Sequence, residues 1–353
     1  PNTGGVLALV SKPGFDPNLF VDGIDPEAWK ALNESPERPM VNRVLRGIYP
    51  PGSTIKPFMA LAGLELGLRK ASDSISDPGY FSLPNSSHQY RDWKRGGHGT
   101  VDLRRSISQS CDTYYYRLAV DMGIDRMHDY LAQFGLGEKT GIDLDGESSG
   151  LLPSRDWKKR RWNKPWYLGE TVIAGIGQGY HLTTPLQLAA ATAMLANGGK
   201  RIEPRLVEAV RDPLGQAWQP HAAGRRTQIS IAPAHLELVR QGMMDVMRPG
   251  GTAAASAAGA SYTIAGKTGT AQVVGIKQGA RYDASRLARE HRDHALFIAY
   301  APTENPTIAV AVMVENGGSG SGTAAPIARA VFDYYLTGKR PGSMKLEDGN
   351  AAD

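Results

Sequence analysis

The apolar positions of this chain change period along its length, and each change predicts a different element. Residues 6–11 (Val-Leu-Ala-Leu-Val-Ser) read as a buried strand that stops at Pro13. Residues 16–46 are polar, with a short helical patch at 27–32, and the breaker Pro50-Pro51-Gly52 closes that stretch. Residues 54–68 then carry helical spacing through Ile55, Phe58, Met59, Leu61, Ala62 and Leu66. Pro57 falls in the first turn, where its missing N–H has no partner to lose. Further helices are predicted at 103–122, 127–134, 185–197 and 233–247, the third stopped by Gly198-Gly199. Residues 73–99 are loop-rich, 135–164 are Gly-rich and then basic, and 205–211 carry a strand signal before a loop at Pro213.

The last third predicts a sheet. Residues 262–274, 295–301 and 307–315 are β-rich runs, and the loop 302–306 makes the last two an antiparallel hairpin. The charged stretch 275–293 joins two sheet strands, as a long loop placed to flank a cleft. Residues 323–336 form a closing helix. Strands near both ends with helices between them predict an α/β fold of the α+β type. One antiparallel sheet is fed by both termini and covered by helices on both faces, with a mostly helical lobe attached. The expected domain is 1–338, with 73–164 as the loop-rich, helical lobe and 339–353 as a flexible tail.

Composition narrows the function classes. With 353 residues and 41% hydrophobic content the chain buries a large core. The net charge of +5 suits anionic substrates or an anionic membrane surface. It excludes a nucleic-acid partner, because 40 Lys and Arg are dispersed among 35 Asp and Glu. A single cysteine forbids an intrachain disulfide. No apolar run reaches the roughly 18 residues of a membrane span, and no signal peptide is present. The chain enters its first strand pattern at once, so it reads as a trimmed domain whose N-terminal membrane anchor lies outside it.

The chemistry sits in three short motifs. Ser53-Thr54-Ile55-Lys56 places a hydroxyl and an amine one helical turn apart. Lys267-Thr268-Gly269-Thr270 puts a cation and a close-approach backbone in a strand. Ser110-Cys111-Asp112 lies between them. Taken singly, the first is an ordinary helix start and the second an ordinary turn; together and in this order they describe an activated serine. Ser53 is the nucleophile and Lys56 its base, which works only if burial and nearby cations such as Lys267 favour the neutral amine. Ser110 relays the proton. The main-chain N–H groups of Ser53 and Thr270 form the oxyanion hole, and Lys267, Thr268 and Thr270 hold a substrate carboxylate beside Gly269.

These motifs, with Tyr49-Pro50-Pro51-Gly52-Ser53, Gly175-Ile176-Gly177-Gln178-Gly179 and Ala265-Gly266 ahead of Lys267, resemble the transpeptidase domain of class B penicillin-binding proteins over nearly the whole chain. The resemblance is greatest to the branch serving cell elongation in rod-shaped Gram-negative bacteria. It implies the fold of serine β-lactamases and D,D-transpeptidases. It also implies peptidoglycan cross-linking: Ser53 attacks the D-Ala-D-Ala end of a donor stem peptide, releases D-Ala, and passes the acyl group to an amine on a neighbouring stem. β-Lactams acylate the same serine. The implied setting is the periplasmic side of an inner-membrane-anchored protein, beside a membrane glycan polymerase and elongation scaffold proteins, with no cofactor for catalysis. The common middle motif ends in Asn, and Asp112 stands there. An ionised Asp accepts but does not donate, so its place is beside Lys56 rather than as a donor to substrate; the elongation branch shares this Asp. Two rival readings share Ser53 acylation, namely a serine β-lactamase and a non-catalytic β-lactam sensor.

Cys111 inside the middle motif raises a further question. With Asp77, Asp92 and His98 upstream, spacing alone allows a buried small side chain beside a solvated loop. It also allows Zn²⁺ held by two carboxylates, an imidazole and a thiolate. The resemblance to elongation-branch relatives implies the second, a structural zinc pinning the loop-rich insertion to the helix of Ser110. The basic run Lys158-Lys159-Arg160-Arg161-Trp162-Asn163-Lys164 reads as a solvated loop, or as a patch for membrane headgroups or acidic glycan. His291 and His294 are two scattered histidines with no metal or catalytic spacing.

Overall fold

A computed structural model describes residues 1–212, 214–215, 217–221, 224–275 and 287–341. The helix carrying the first motif, α1 (Lys56–Glu65), is buried on every side from Lys56 to Leu64. It is therefore apolar all round rather than striped. A 3₁₀ turn, Gly52–Ile55, leads into it, so Ser53 and Lys56 sit on successive turns of one continuous coil. Phe58 meets Phe134 edge to face at 5.1 Å between ring centroids, fixing α1 against the helix α4 (Ile124–Ala132) and its exit.

The strands β1 (Ser74–Asp77) and β2 (Gly99–Asp102) form an antiparallel ribbon over the start of the lobe. The predicted helix 103–122 is two helices, α2 (Leu103–Ser108) and α3 (Asp112–Met122). The break falls on the middle motif. Ser110 takes the left-handed backbone at φ 55°, and Cys111 is extended as the cap of α3. A helical hydrophobic pattern continues through the break, which is why the sequence did not announce it.

After α4, the helix α5 (Arg155–Trp162) replaces the predicted basic loop. Next come α6 (Leu168–Ala174), α7 (Pro185–Ala196) and α8 (Pro233–Val246). The sheet is antiparallel in the order β5–β4–β3, from β3 (Ala265–Ala271), β4 (His294–Ala301) and β5 (Ile308–Val314). The central β4 is buried from Ala295 to Ala301, as a strand covered on both faces must be. α8 packs on β3, whereas α7 and the closing helix α9 (Ala325–Thr337) pack on β4 and β5. The predicted hairpin is realised with Ala301 opposite Ile308.

The N-terminal strand is not. This segment meets the rest of the fold through a bridge of Gly5 to Arg205, a bond from Val6 N–H to the Arg205 carbonyl at 2.9 Å, and the Ser11 hydroxyl, which donates to the Val41 carbonyl and accepts from the Arg43 N–H. Val6 and Leu9 pack beside Leu45, Ile142 and Leu186, while Leu7 and Val10 face solvent. An apolar run without a neighbouring strand to pair with leaves an isolated segment, not a ladder. The predicted strand at 205–211 shrinks to Ala209–Val210 against Gln219–Pro220. The loop predicted at 275–293 lies mostly outside the described residues, as does most of the tail 339–353. Among the described residues no helix is long and apolar enough to cross a membrane.

Candidate active site

The turn of Ser53 is built by backbone contact. Gly52 has φ 52°, and a Cβ there would lie 2.5 Å from the Thr270 carbonyl oxygen. Behind it Gly177 has φ 71°, and a Cβ there would lie 2.4 Å from the Gly52 carbonyl oxygen. Only glycine fits both positions. The Gly52 N–H donates to the Gly177 carbonyl at 2.9 Å, and the Gln178 side-chain amide donates to the Thr270 carbonyl at 3.1 Å. Segment 175–179, the Ser53 turn and β3 are thus stacked main chain on main chain. This brings the peptide of Ser53 against Thr270, the pair expected to form the oxyanion hole. The Ser53 hydroxyl makes no hydrogen bond among the described residues.

Lys56 is fully buried. Its ammonium donates to the Ser110 carbonyl at 2.6 Å, the Ser110 hydroxyl at 3.1 Å and Asp112 Oδ1 at 2.6 Å. Three donors meet three acceptors. Cations were expected around Lys56; its ionic partner is instead the carboxylate of Asp112, because a buried ammonium demands a counter-charge. Asp112 therefore takes the place beside Lys56 that its acceptor-only chemistry suggested. Its other oxygen accepts from the Trp93 main-chain N–H at 3.2 Å. The Trp93 indole N–H donates to the Ser110 carbonyl at 3.1 Å, so one residue of the lobe braces both ends of the middle motif.

Across the cleft, Lys267 is buried in β3 opposite Ile298. Its ammonium donates to the Thr268 carbonyl at 2.9 Å. Thr268 and Thr252 share a hydroxyl–hydroxyl bond of 2.8 Å, and the Thr252 N–H donates to the Ser108 carbonyl at 3.2 Å. Thr252 thereby ties β3 to the end of α2. Gly269 packs over Thr54 and opposes Leu296 on β4, and Thr270 opposes Ala295. The predicted catalytic and carboxylate-binding residues lie where the Ser53 turn, the middle motif and β3 pack together. Gln178, Thr252 and Trp93 are the additions that motif reading missed as individual residues, although Gln178 lies in a segment that carried the resemblance.

The predicted metal residues also converge. One donor atom from each of Asp77, Asp92, His98 and Cys111 lies within 4.8 Å of the others, and all four side chains are buried. His98 Nδ1 is 2.8 Å from Asp77 Oδ2 and 3.4 Å from Asp92 Oδ1, and Cys111 Sγ is 3.5 Å from Asp77 Oδ2. Ligands of a tetrahedral zinc stand roughly 3.3–3.8 Å apart; the 3.4 and 3.5 Å separations match that spacing, the 2.8 Å His98–Asp77 contact is a hydrogen bond, and His98 Nε2 is buried without a partner. Burial raises the Cys111 thiol above its ordinary range, and the Asp92 carboxylate pushes it further. Asp92 is also raised, by burial and then by Asp112. Burial pushes Asp77 the same way, but hydrogen bonds from Gly79 and His98 outweigh it and hold the carboxyl low. Such crowding of acidic groups is relieved by a divalent cation. The cluster is wired to the middle motif: Asp92 accepts from the Thr113 N–H at 3.0 Å, at the start of α3, and Trp93 follows it. It ties the segment 77–98 to the break between α2 and α3, rather than to an unbroken helix.

His294 serves packing: its Nδ1 accepts from the Asn316 N–H at 2.9 Å and its ring meets Tyr49 edge on at 5.5 Å. His291 ends an exposed 3₁₀ turn, Arg289–His291.

Residues 1–333 match the family described as penicillin binding protein transpeptidase domain. The chain is 44% identical over 351 residues to peptidoglycan D,D-transpeptidase MrdA of Escherichia coli (strain K12), covering 99% of this chain and 55% of that protein. It therefore spans about half the length of the curated relatives it matches. Among solved structures, PBP2 of Pseudomonas aeruginosa in complex with WCK 5153 superposes with a TM-score of 0.85 at 47% identity, over 99% of this chain and 74% of that one. PBP2 of Helicobacter pylori in complex with MreC gives 0.79 at 32% identity, over 94% of this chain and 58% of that one.

Proposed function

Because the chain belongs to the penicillin-binding protein transpeptidase family, we propose that residues 1–338 are the D,D-transpeptidase domain of a peptidoglycan synthase that cross-links stem peptides during cell elongation. The observation that carries the reading is the geometry around Lys56. It lies one turn after Ser53, with its Nζ 3.1 Å from the Ser110 hydroxyl, while the strand of Lys267 packs on the Ser53 turn.

In the proposed reaction, the Ser53 hydroxyl attacks the carbonyl carbon of the D-Ala–D-Ala bond. Lys56, positioned by Asp112 and by the Ser110 carbonyl and hydroxyl, acts as the base that takes the Ser53 proton. The proton passes through the Ser110 hydroxyl to the leaving nitrogen, and D-Ala departs as an amine, leaving an ester on Ser53. The N–H groups of Ser53 and Thr270 stabilise the oxyanion. Lys267, Thr268 and Thr270 hold the terminal carboxylate, with Gly269 giving room. An acceptor amine then attacks the ester, its proton returns along the same path, and Ser53 regains its hydroxyl. Asp112 positions Lys56 and does not touch substrate. No cofactor takes part.

Asp77, Asp92, His98 and Cys111 would hold a structural zinc, whose service is to fix the lobe to the middle motif. The setting that the motif resemblance implies for the domain is the periplasmic side of an inner membrane. The domain works there with a glycan polymerase and a MreC-type scaffold, and is a β-lactam target. The test is mass spectrometry after penicillin treatment. A long-lived penicilloyl adduct on Ser53, absent in Ser53→Ala, is expected. An adduct elsewhere overturns the nucleophile, and rapid turnover of penicillin favours a β-lactamase.

A further inference from the structure

The basic run on α5 is used by none of this chemistry. Lys159, Arg160, Arg161 and Lys164 are exposed, and none has an ion pair among the described residues. Their neighbours do: Arg155 pairs with Asp125, and buried Lys158 with Glu170. Cations at a helix C-terminus are favoured by the helix dipole, which accounts for three of the four without any ligand.

The dipole does not account for the rings beside them. Trp162 is 42% exposed, yet it is held from behind by Trp157 at 4.9 Å and Tyr180 at 5.0 Å between centroids. Tyr180 is pinned by its hydroxyl to Glu170 at 3.2 Å. The Lys158 ammonium sits 4.3 Å from the centroid of Tyr167, itself exposed. The result is a braced aromatic face bordered by unpaired cations. It is joined to the active site along the chain, since Tyr180 is two residues beyond Gln178, which bonds Thr270.

We propose that this face binds an acidic glycopeptide strand of the cell-wall polymer, sugar rings stacking on Trp162 and Tyr167 and stem carboxylates meeting the cations. The inference rests on the transpeptidase reading and assigns it a polymer-binding surface outside the motifs. Aromatic faces suit pyranose rings because both are flat and amphipathic, and charge complementarity supplies the rest. A lipid surface fits less well: insertion needs apolar side chains free to enter the acyl boundary, and Trp162 is held from behind by Trp157 and Tyr180.

The experiment is cosedimentation of the whole chain with purified peptidoglycan sacculi, alongside labelling by fluorescent penicillin. The triple variant Lys159→Glu, Arg160→Glu, Arg161→Glu is expected to bind sacculi about tenfold more weakly, and added salt should weaken the unaltered chain but hardly change the variant. Trp162→Ala should lose several-fold, Trp162→Tyr should retain binding, and all variants should take up penicillin at the unaltered rate, which also reports folding. Sacculus binding preserved in either the triple variant or Trp162→Ala overturns the proposal. So does tighter binding to phosphatidylglycerol vesicles than to sacculi, lost in the same variants. Absence of penicillin uptake by the unaltered chain sinks the transpeptidase reading instead, and leaves the sacculus result to be judged by itself.

Discussion

Gln178 reaches across the cleft floor to the carbonyl of Thr270, 3.1 Å away and 92 residues distant in sequence. Its neighbour Gly177 accepts the N–H of Gly52. One five-residue segment thus sets both the turn of the nucleophile and the strand edge opposite it. Removing the amide leaves that strand edge unguided while touching no reacting group.

Gln178→Ala should therefore slow Ser53 acylation by about tenfold to a hundredfold, since small misplacements of reacting groups have effects of that order. Stopped-flow measurement with a chromogenic β-lactam separates the acylation rate constant from initial binding. The first should fall and the second should stay. An unchanged rate constant contradicts the positioning role.

Asp112→Asn tests the ion pair with Lys56. The lysine side chain is fully buried and Asp112 12% exposed. Removing one charge from such a pair strands the other, and a loss of about 3 kcal/mol of folding stability is expected. Urea unfolding reads it directly, and penicillin labelling should fall in parallel. A midpoint equal to that of the unaltered chain would show the carboxylate to be dispensable.

Cys111→Ser tests the metal cluster. The unaltered chain, prepared without chelators, should hold about one zinc per molecule and the variant much less. Because Asp92 and Trp93 bridge the cluster to Thr113, Asp112 and Ser110, melting temperature and acylation rate should drop with metal content. Elemental analysis finding no zinc in the unaltered chain would falsify the assignment.

His181 predicts a pH dependence. Burial, with a smaller contribution from His128, lowers its pKa from 6.5 to about 3. Between those values the unfolded chain binds a proton that the folded chain refuses, so folding stability is full above about 6.5 and is lost as pH falls toward 3. His181→Leu removes the titrating group and should flatten this acid limb in unfolding curves taken across that range. A limb of unchanged slope in the variant would place the acid sensitivity elsewhere.

Much of the site was legible because its residues are positioned locally. A serine and lysine three apart share one coil wherever they fall in a helix start, and Lys267 to Thr270 follow one strand. The same holds for the β4–β5 hairpin, set by a short loop between apolar runs. What escaped depends on distant partners. Gln178 and Thr252 act through a carbonyl and a hydroxyl on another element, and neither residue type advertises such a task. Trp93 read as one aromatic in a loop. The break at Ser110 escaped because apolar spacing runs on across it, while the cause lies in the bonds that its carbonyl and hydroxyl make to Lys56. The N-terminal strand was misread for the opposite reason. Its apolar run is real, but a strand also needs a neighbour.

The stacking of Gly177, Gly52 and Thr270 bears on how this cleft can evolve. Each interface there is backbone against backbone, with space for a hydrogen and not for a methyl group. Substitution at either glycine displaces the nucleophile itself, so selection by an inhibitor finds no tolerated change at the floor. Escape variants are confined to side chains outside these backbone contacts. An inhibitor that draws its affinity from the main chain at Gly52, Gly177 and Thr270 leaves this protein the fewest ways out.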